Sequence, residues 1–163
     1  MQAHEIFLVR HGAYDYGTGS LNDKGREQSR AALRELVALG AGSLALLLSS
    51  DAPRAIETSR IIAEGTGAEV VPSKRMRLSA LEPDGVESLD ECIQQSLNEC
   101  GLLVPESLVV VAHEPLLQTA AYKSWANKPH FDNGAVLRYE PGSWENLAFL
   151  PDFAKMIESR MHE

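Results

Sequence analysis

The sequence predicts a three-layer α/β/α fold on a mostly parallel central sheet, and three observations carry that expectation. Short apolar runs alternate with longer stretches of helical periodicity, the pattern of strand–helix units. Two of those runs, LALLL (Leu44–Leu48) and LVVVA (Leu108–Ala112), are apolar at every position, as strands covered on both faces must be. The chain has 163 residues, 44% hydrophobic and 23% charged. That is enough for one domain with a real core and too apolar for a disordered or fibrous chain.

In chain order, strands are expected at Glu5–Val9, Leu44–Leu48, Val109–Ala112, Ala135–Tyr139 and Asn146–Leu150, with a weaker one at Glu69–Val71. Helices are expected at Asp23–Leu39, Ala52–Glu64, Val86–Cys100, Pro115–Ala126 and Asp152–Arg160. In the first helix Ala32, Leu33, Leu36, Val37 and Leu39 recur at helical spacing, while Lys24, Arg26, Glu27, Arg30 and Arg34 occupy the other faces. Gly40 follows as a stop signal. Ser50 or Asp51 is a candidate cap for the second helix, and Pro53 suits its first turn. There is no internal repeat, low-complexity tract or linker, so residues 1–163 read as a single domain.

The net charge of −8 excludes a general binder of nucleic acid or anionic membrane, since both require a basic footprint. No apolar run is long enough to span a bilayer. The start Met-Gln-Ala-His-Glu runs straight into a strand without the basic and apolar regions of a signal peptide, which points to a cytoplasmic protein. Cys92 and Cys100 read as reduced, half-buried thiols of a reducing compartment rather than a disulfide or metal pair.

Three strands end in an unusual way. The first, IFLV, runs into Arg10-His11-Gly12; the second into Ser49-Ser50-Asp51 and then Pro53-Arg54; the third into His113-Glu114-Pro115. Ligands of open α/β sheets bind outside the carboxyl ends of the strands, so these residues are candidates for one shared site. Arg54 and His113 also fall beside helix starts, where a cation is locally unfavourable and an anion is favoured. Local rules broken together mark function. Singly, each residue has a plainer role. Arg10 is then a surface arginine, His11 a satisfied imidazole, Gly12 a turn, and Arg54 the partner of Glu57 or Asp51. Jointly, two arginines and two histidines from three strand ends are hard to ascribe to coincidence.

These segments resemble the histidine phosphatase (phosphoglycerate mutase-like) superfamily. LVRHG is similar to its RHG signature. LNDKGREQS (Leu21–Ser29) is similar to its L-T-x-x-G-x-x-Q-A segment, with Asn22 and Ser29 as departures. SSDAPRAIETSRII matches its S-x-x-x-R-A-x-x-T-A segment at Ser50, Arg54, Ala55 and Thr58, and VVVAHEP is similar to the segment of the second histidine. The resemblance covers nearly the whole chain. In length and in LEPDGVESL it is nearest to the short phosphohistidine phosphatase (SixA-like) branch.

The resemblance implies that His11 is a nucleophile taking the phosphoryl group as phosphohistidine, with Arg10, Arg54 and His113 around its oxygens. Substrate is then held by Arg10, Arg54, His113 and Gly12. Two guanidiniums stay charged at any working pH and offer paired donors. The imidazole attacks only when neutral, so its other ring nitrogen should donate to a carbonyl near Gly12. Such a clamp stands where other phosphoryl enzymes use metal ions, and no metal or cofactor is expected. The family's proton donor falls within RLSALEPDGVESLDE, where Glu82 is the first candidate and Asp84 and Glu87 are rivals. As an alternative, Glu82 is a solvated loop carboxylate.

Only 42 residues separate His11 from Arg54, and 58 separate Arg54 from His113. That leaves little chain for a large lid, so an open pocket is expected. It suits a phosphate on a protruding group, such as phosphohistidine on a partner protein, or a small phosphomonoester. Tyr14, Asp15 and Tyr16 follow the motif as loop residues or pocket rim, the loop reading being preferred. Asn133-Gly134 reads as a turn, His130 and Phe131 as candidates for the mouth, and His4 and His162 as solvated. Competing readings are a phosphatase or mutase of a small metabolite, and a non-catalytic phosphate-binding module. A metal hydrolase is disfavoured because neither H-x-H nor H-E-x-x-H spacing occurs.

Overall fold

A computed structural model of the chain describes residues 5–77, 89–103, 105–113 and 133–139. Five strands form one sheet: β1 (Glu5–Arg10), β2 (Leu46–Ser50), β3 (Glu69–Ser73), β4 (Ser107–Ala112) and β5 (Val136–Tyr139). Their spatial order is β3-β2-β4-β1-β5, with every pair parallel except the antiparallel β1–β5. The helices are α1 (Asp23–Ala38), α2 (Pro53–Thr66) and α3 (Leu89–Glu99), with a 3₁₀ turn at Lys74–Arg77. The α/β class read from the sequence is the observed one.

Why the layers number three follows from strand order. The crossovers β1-α1-β2 and β2-α2-β3 both move toward the β3 edge, whereas β3-α3-β4 moves back. Right-handed crossovers therefore put α1 and α2 on one face and α3 on the other. Accordingly Phe7, Leu8 and Val9 of β1, Leu47 and Leu48 of β2, and Leu108 to Ala112 of β4 are fully buried. The apolar runs are apolar throughout because both of their faces are covered. Pro72 sits in β3, the outermost strand of this order, where a missing N–H is least harmful.

Element ends differ slightly from the sequence expectation. β2 runs two residues later, over Leu46–Ser50, because Ser49 and Ser50 pair with Pro72 and Ser73 of β3 despite their polarity. α2 continues past Glu64 to Thr66 and ends at Gly67, in the left-handed conformation with φ of 78°. Gly65 does not stop it, because Leu33 of α1 packs into the space its missing side chain leaves. Neither Ser50 nor Asp51 caps α2. The N-cap is Ala52, which makes no side-chain cap bond, and Pro53 occupies the first turn as expected. Cys92 is buried and Cys100 exposed, both as free thiols.

The expected strand Asn146–Leu150 and helices Pro115–Ala126 and Asp152–Arg160 lie outside the described residues, as does the start of the helix expected from Val86. No helix among the described residues is long and apolar enough to cross a membrane.

Candidate functional site

Strand register brings the two histidines together. Arg10 of β1 lies opposite Ala112 of β4, so the next residue on each strand, His11 and His113, leaves the sheet side by side. Their ring centroids are 5.1 Å apart at 63°, and both residues are buried. On the other side of β4, Ser49 of β2 pairs with Val111. The Ser50 hydroxyl that follows lies 2.7 Å from His113 Nε2. α2 then delivers Arg54, whose Nη2 is 3.4 Å from His113 Nδ1. Arg10 is held in place by its backbone, with its N–H on the Ala135 carbonyl at 3.1 Å and its own carbonyl accepting Gly134 N–H at 3.0 Å. The turn expected at Asn133-Gly134 is present and serves to fix Arg10.

The partners determine the tautomers. His11 Nδ1 lies 2.8 Å from the Gly12 carbonyl, which only accepts, so Nδ1 carries the proton and the lone pair is left on Nε2. For His113, the guanidinium only donates, so Nδ1 is the acceptor and Nε2–H donates to Ser50. Burial, aided by neighbouring positive charge, lowers the His11 pKa to about 3, against the pull of its Gly12 bond. Burial, then the charges of Arg54, Arg77 and Arg10, lowers that of His113 to about 4, with Asp51 opposing. Both rings are therefore neutral near pH 7 in the free protein. The charge of the pocket is that of its guanidiniums.

The supporting shell is built from α1 and α2. Gly12 N–H donates to Thr58 Oγ1 at 3.0 Å, and that hydroxyl donates to the Arg54 carbonyl at 2.9 Å. Ala13 N–H donates to Gln28 Oε1 at 2.8 Å. Leu21 N–H donates to Glu57 Oε2 at 2.8 Å, so Glu57 serves the loop rather than Arg54. The two departures from the family pattern keep their places useful. Asn22 caps α1 by accepting Gly25 N–H at 2.8 Å. Ser29, buried, returns its hydroxyl to the Gly25 carbonyl at 2.8 Å.

Two residues, Tyr14 and Arg77, have roles beyond those the sequence suggests. Tyr14 is no ordinary loop residue: the Arg54 guanidinium stands 4.4 Å over its ring, and its edge meets His11 at 5.5 Å between centroids. Its aromatic face holds the guanidinium by cation–π attraction. Arg77 pairs with Asp51 at 2.6 Å beside His113. Neither Glu57 nor Asp51 is thus the ion partner of Arg54, and Arg54 Nε has no hydrogen-bond partner among the described residues. A tyrosine four positions past Arg10, or an Arg beyond β3, has no periodic signal to find it by. Glu82, Asp84, Glu87, His130, Phe131, His4 and His162 lie outside the described residues. Among those described, no group of three His, Cys, Asp or Glu side chains could hold a metal ion.

Residues 6–80 match the model of the histidine phosphatase superfamily (branch 1). The matched stretch, somewhat under half of the chain, holds Arg10, His11 and Arg54. No curated protein matches the sequence significantly. Solved structures with the same fold include the protein histidine phosphatase SixA complexed with tungstate, 23% identical over 90% of this chain and 94% of that one, TM-score 0.59. A mycobacterial glucosyl-3-phosphoglycerate phosphatase complexed with VO3 is 22% identical over 83% and 92%, TM-score 0.57. A SixA homologue from Agrobacterium tumefaciens is 16% identical over 92% and 97%, TM-score 0.61. At these identities the likeness is one of fold. The family match supports hydrolase activity on phosphate linkages.

Proposed function

We propose that this phosphatase works without a metal ion and carries the phosphoryl group on Nε2 of His11, with phosphohistidine on a protein as its favoured substrate. The observation that carries the reading is the Nδ1–H bond of His11 to the Gly12 carbonyl, because it leaves a neutral ring with its lone pair on Nε2. Nε2 attacks phosphorus, the bond to the leaving group breaks, and that group departs with the electron pair. Water then attacks the phosphohistidine, the N–P bond breaks, and His11 recovers its lone pair as inorganic phosphate leaves. Arg10 and Arg54 balance the charge on the equatorial oxygens throughout. Gly12 lets the backbone approach them. An oxyanion between Arg54 and His113 would replace their long 3.4 Å contact, accepting from Arg54 and, once Nδ1 takes a proton, from His113 as well.

The substrate preference rests on the leaving group and on access. A phosphohistidine whose far ring nitrogen has taken a proton releases neutral imidazole, and so does not depend on a carboxylic acid beside the pocket. An alkoxide does, and Glu82 is the residue proposed to supply that proton. A single domain with so little chain between His11, Arg54 and His113 leaves the pocket open to a phosphate carried on a protruding side chain. A cytoplasmic phosphohistidine protein is the partner this implies. Two proteins of the same fold were crystallised with the phosphate-like oxyanions tungstate and VO3, in keeping with a pocket for a tetrahedral group.

The test is a rapid-quench labelling experiment with a panel of phosphohistidine peptide, sugar phosphate and glycerate phosphate, with and without EDTA. The expected result is an acid-labile, base-stable phosphoenzyme, absent in His11→Ala, formed fastest from the peptide and indifferent to EDTA. A phosphate-binding module would form none, and a metabolite phosphatase would reverse the substrate order.

A further inference from the structure

Beside the phosphate pocket a line of rings runs out to solvent. Tyr14 meets His11 edge-on at 5.5 Å, and Tyr16 meets Tyr14 edge-on at 4.8 Å and 80°. Tyr16 itself is 87% exposed, the only tyrosine among the exposed large hydrophobics of the described residues. A ring so far into water contributes almost nothing to the core.

The loop that carries it is tied down rather than loose. Tyr14 and Leu21 form an antiparallel bridge. Asp15 N–H donates to the Ser20 carbonyl at 2.9 Å, Gly19 N–H to the Asp15 carbonyl at 2.7 Å, and Gly17 N–H to Asp15 Oδ1 at 2.7 Å. Leu21 is fastened in turn to Glu57 of α2. Tyr16 is thus presented in a fixed position next to the residue that braces Arg54, with its ordering cost met before any ligand arrives.

We infer that Tyr16 is a specificity-determining residue, a stacking wall for a planar leaving group such as the imidazole of phosphohistidine or an aryl ring. The inference rests on the phosphatase reading above and sharpens it. A phosphoryl group on His11 Nε2 has its leaving group directed away from that ring, toward the pocket mouth. There a flat π-system meets the exposed ring in an offset or edge-on contact, whereas an aliphatic leaving group finds no matching surface. Tyr14 connects the two ends: its face holds the Arg54 guanidinium and its edge supports Tyr16.

The experiment measures kcat/KM of wild type, Tyr16→Leu and Tyr16→Phe on phosphohistidine peptide, phenyl phosphate and glycerol phosphate, with the phosphoenzyme quantified in each case. Tyr16→Leu is expected to lose roughly threefold to tenfold on the two planar donors and less than twofold on glycerol phosphate, with Tyr16→Phe close to wild type. Equal losses on all three donors, or no loss on any, overturn the assignment while a His11-dependent phosphoenzyme keeps the underlying reading intact. Absence of that phosphoenzyme overturns both. Since Tyr16 lies outside the core, a folding failure is not expected, and an unchanged unfolding midpoint verifies it.

Discussion

The Thr58 hydroxyl accepts the backbone N–H of Gly12 at 3.0 Å. One hydroxyl on α2 thereby fixes the residue whose carbonyl orients His11, and it donates in turn to the carbonyl of Arg54 at 2.9 Å. His11 and Arg54 are held to one another through a single hydroxyl oxygen.

Replacing that oxygen by a methyl group is predicted to hurt geometry more than binding. In Thr58→Val the Gly12 N–H is left buried without an acceptor, a cost of about 1–3 kcal/mol. A displaced Gly12 carbonyl then lets the His11 ring turn, and kcat falls on the order of 10- to 100-fold with KM little changed. Thr58→Ser keeps the oxygen and should restore most of both. Steady-state kinetics beside urea unfolding of the two variants measures the split, and equal losses in Val and Ser variants would count against the hydroxyl.

Gly25 is predicted to be the least replaceable residue of α1. A Cβ built there falls inside the Ala13 carbonyl oxygen, and one built on Gly12 falls against Gly25. Alanine would gain about 1 kcal/mol of helix propensity. The backbone of the Gly12–Ala13 segment would have to move to admit it, an overpacking cost of about 1–3 kcal/mol or more. Gly25→Ala should therefore lower the urea midpoint and depress activity together, whereas Gly42→Ala, whose added Cβ meets only Val37 methyls at 3.7 Å, should do neither.

These two contacts show what the sequence discloses and what it hides. The strands could be read because LALLL and LVVVA are apolar at every position, and that needs only burial on both faces. The meeting of His11, His113 and Arg54 could be expected because basic side chains at strand ends and helix starts break local rules. The carbonyl partner of His11 could be inferred too, from the chemistry of a neutral nucleophile. Thr58 bonding Gly12 across 46 positions of sequence could not, since register and helix docking decide it and neither has a periodic signature. The N-cap of α2 is Ala52 rather than Ser50 for a related reason. Ser50 was a reasonable cap by type, but its hydroxyl is taken by His113 and by Ala52 N–H at 3.2 Å.

Ser50 is accordingly predicted to act on the second histidine. Ser50→Ala removes the acceptor from His113 Nε2–H in a fully buried position. The stability cost is about 1–3 kcal/mol, and the freed imidazole can rotate away from Arg54. Affinity for a tetrahedral oxyanion such as vanadate should drop about threefold to tenfold, since one hydrogen bond of ordinary strength is misplaced. Inhibition constants for vanadate in wild type, Ser50→Ala and Ser50→Thr provide the comparison, with threonine retaining the hydroxyl and the affinity.

The last prediction concerns pH. His11 and His113 have folded pKa values of about 3 and about 4, both below the ordinary 6.5. Below pH 6.5 the unfolded chain takes up protons that these buried rings refuse, so their contribution to stability is fully present above 6.5. It is lost progressively as pH falls from there, toward about 4 for His113 and about 3 for His11. Urea midpoints between pH 7.5 and 4.5 should decline over that range, and His113→Gln should flatten the decline. An oxyanion reverses the sign, because its charge offsets the guanidiniums and favours protonated His113. Its binding at acid pH should therefore draw a proton from solution, seen by calorimetry in buffers of different ionisation enthalpy. With His11 neutral well below pH 6, the pH profile of kcat/KM, corrected for substrate ionisation, should show no acid limb near 6.5. An acid limb at that position would mean that the His11 ring is far less buried than its place beside His113 implies.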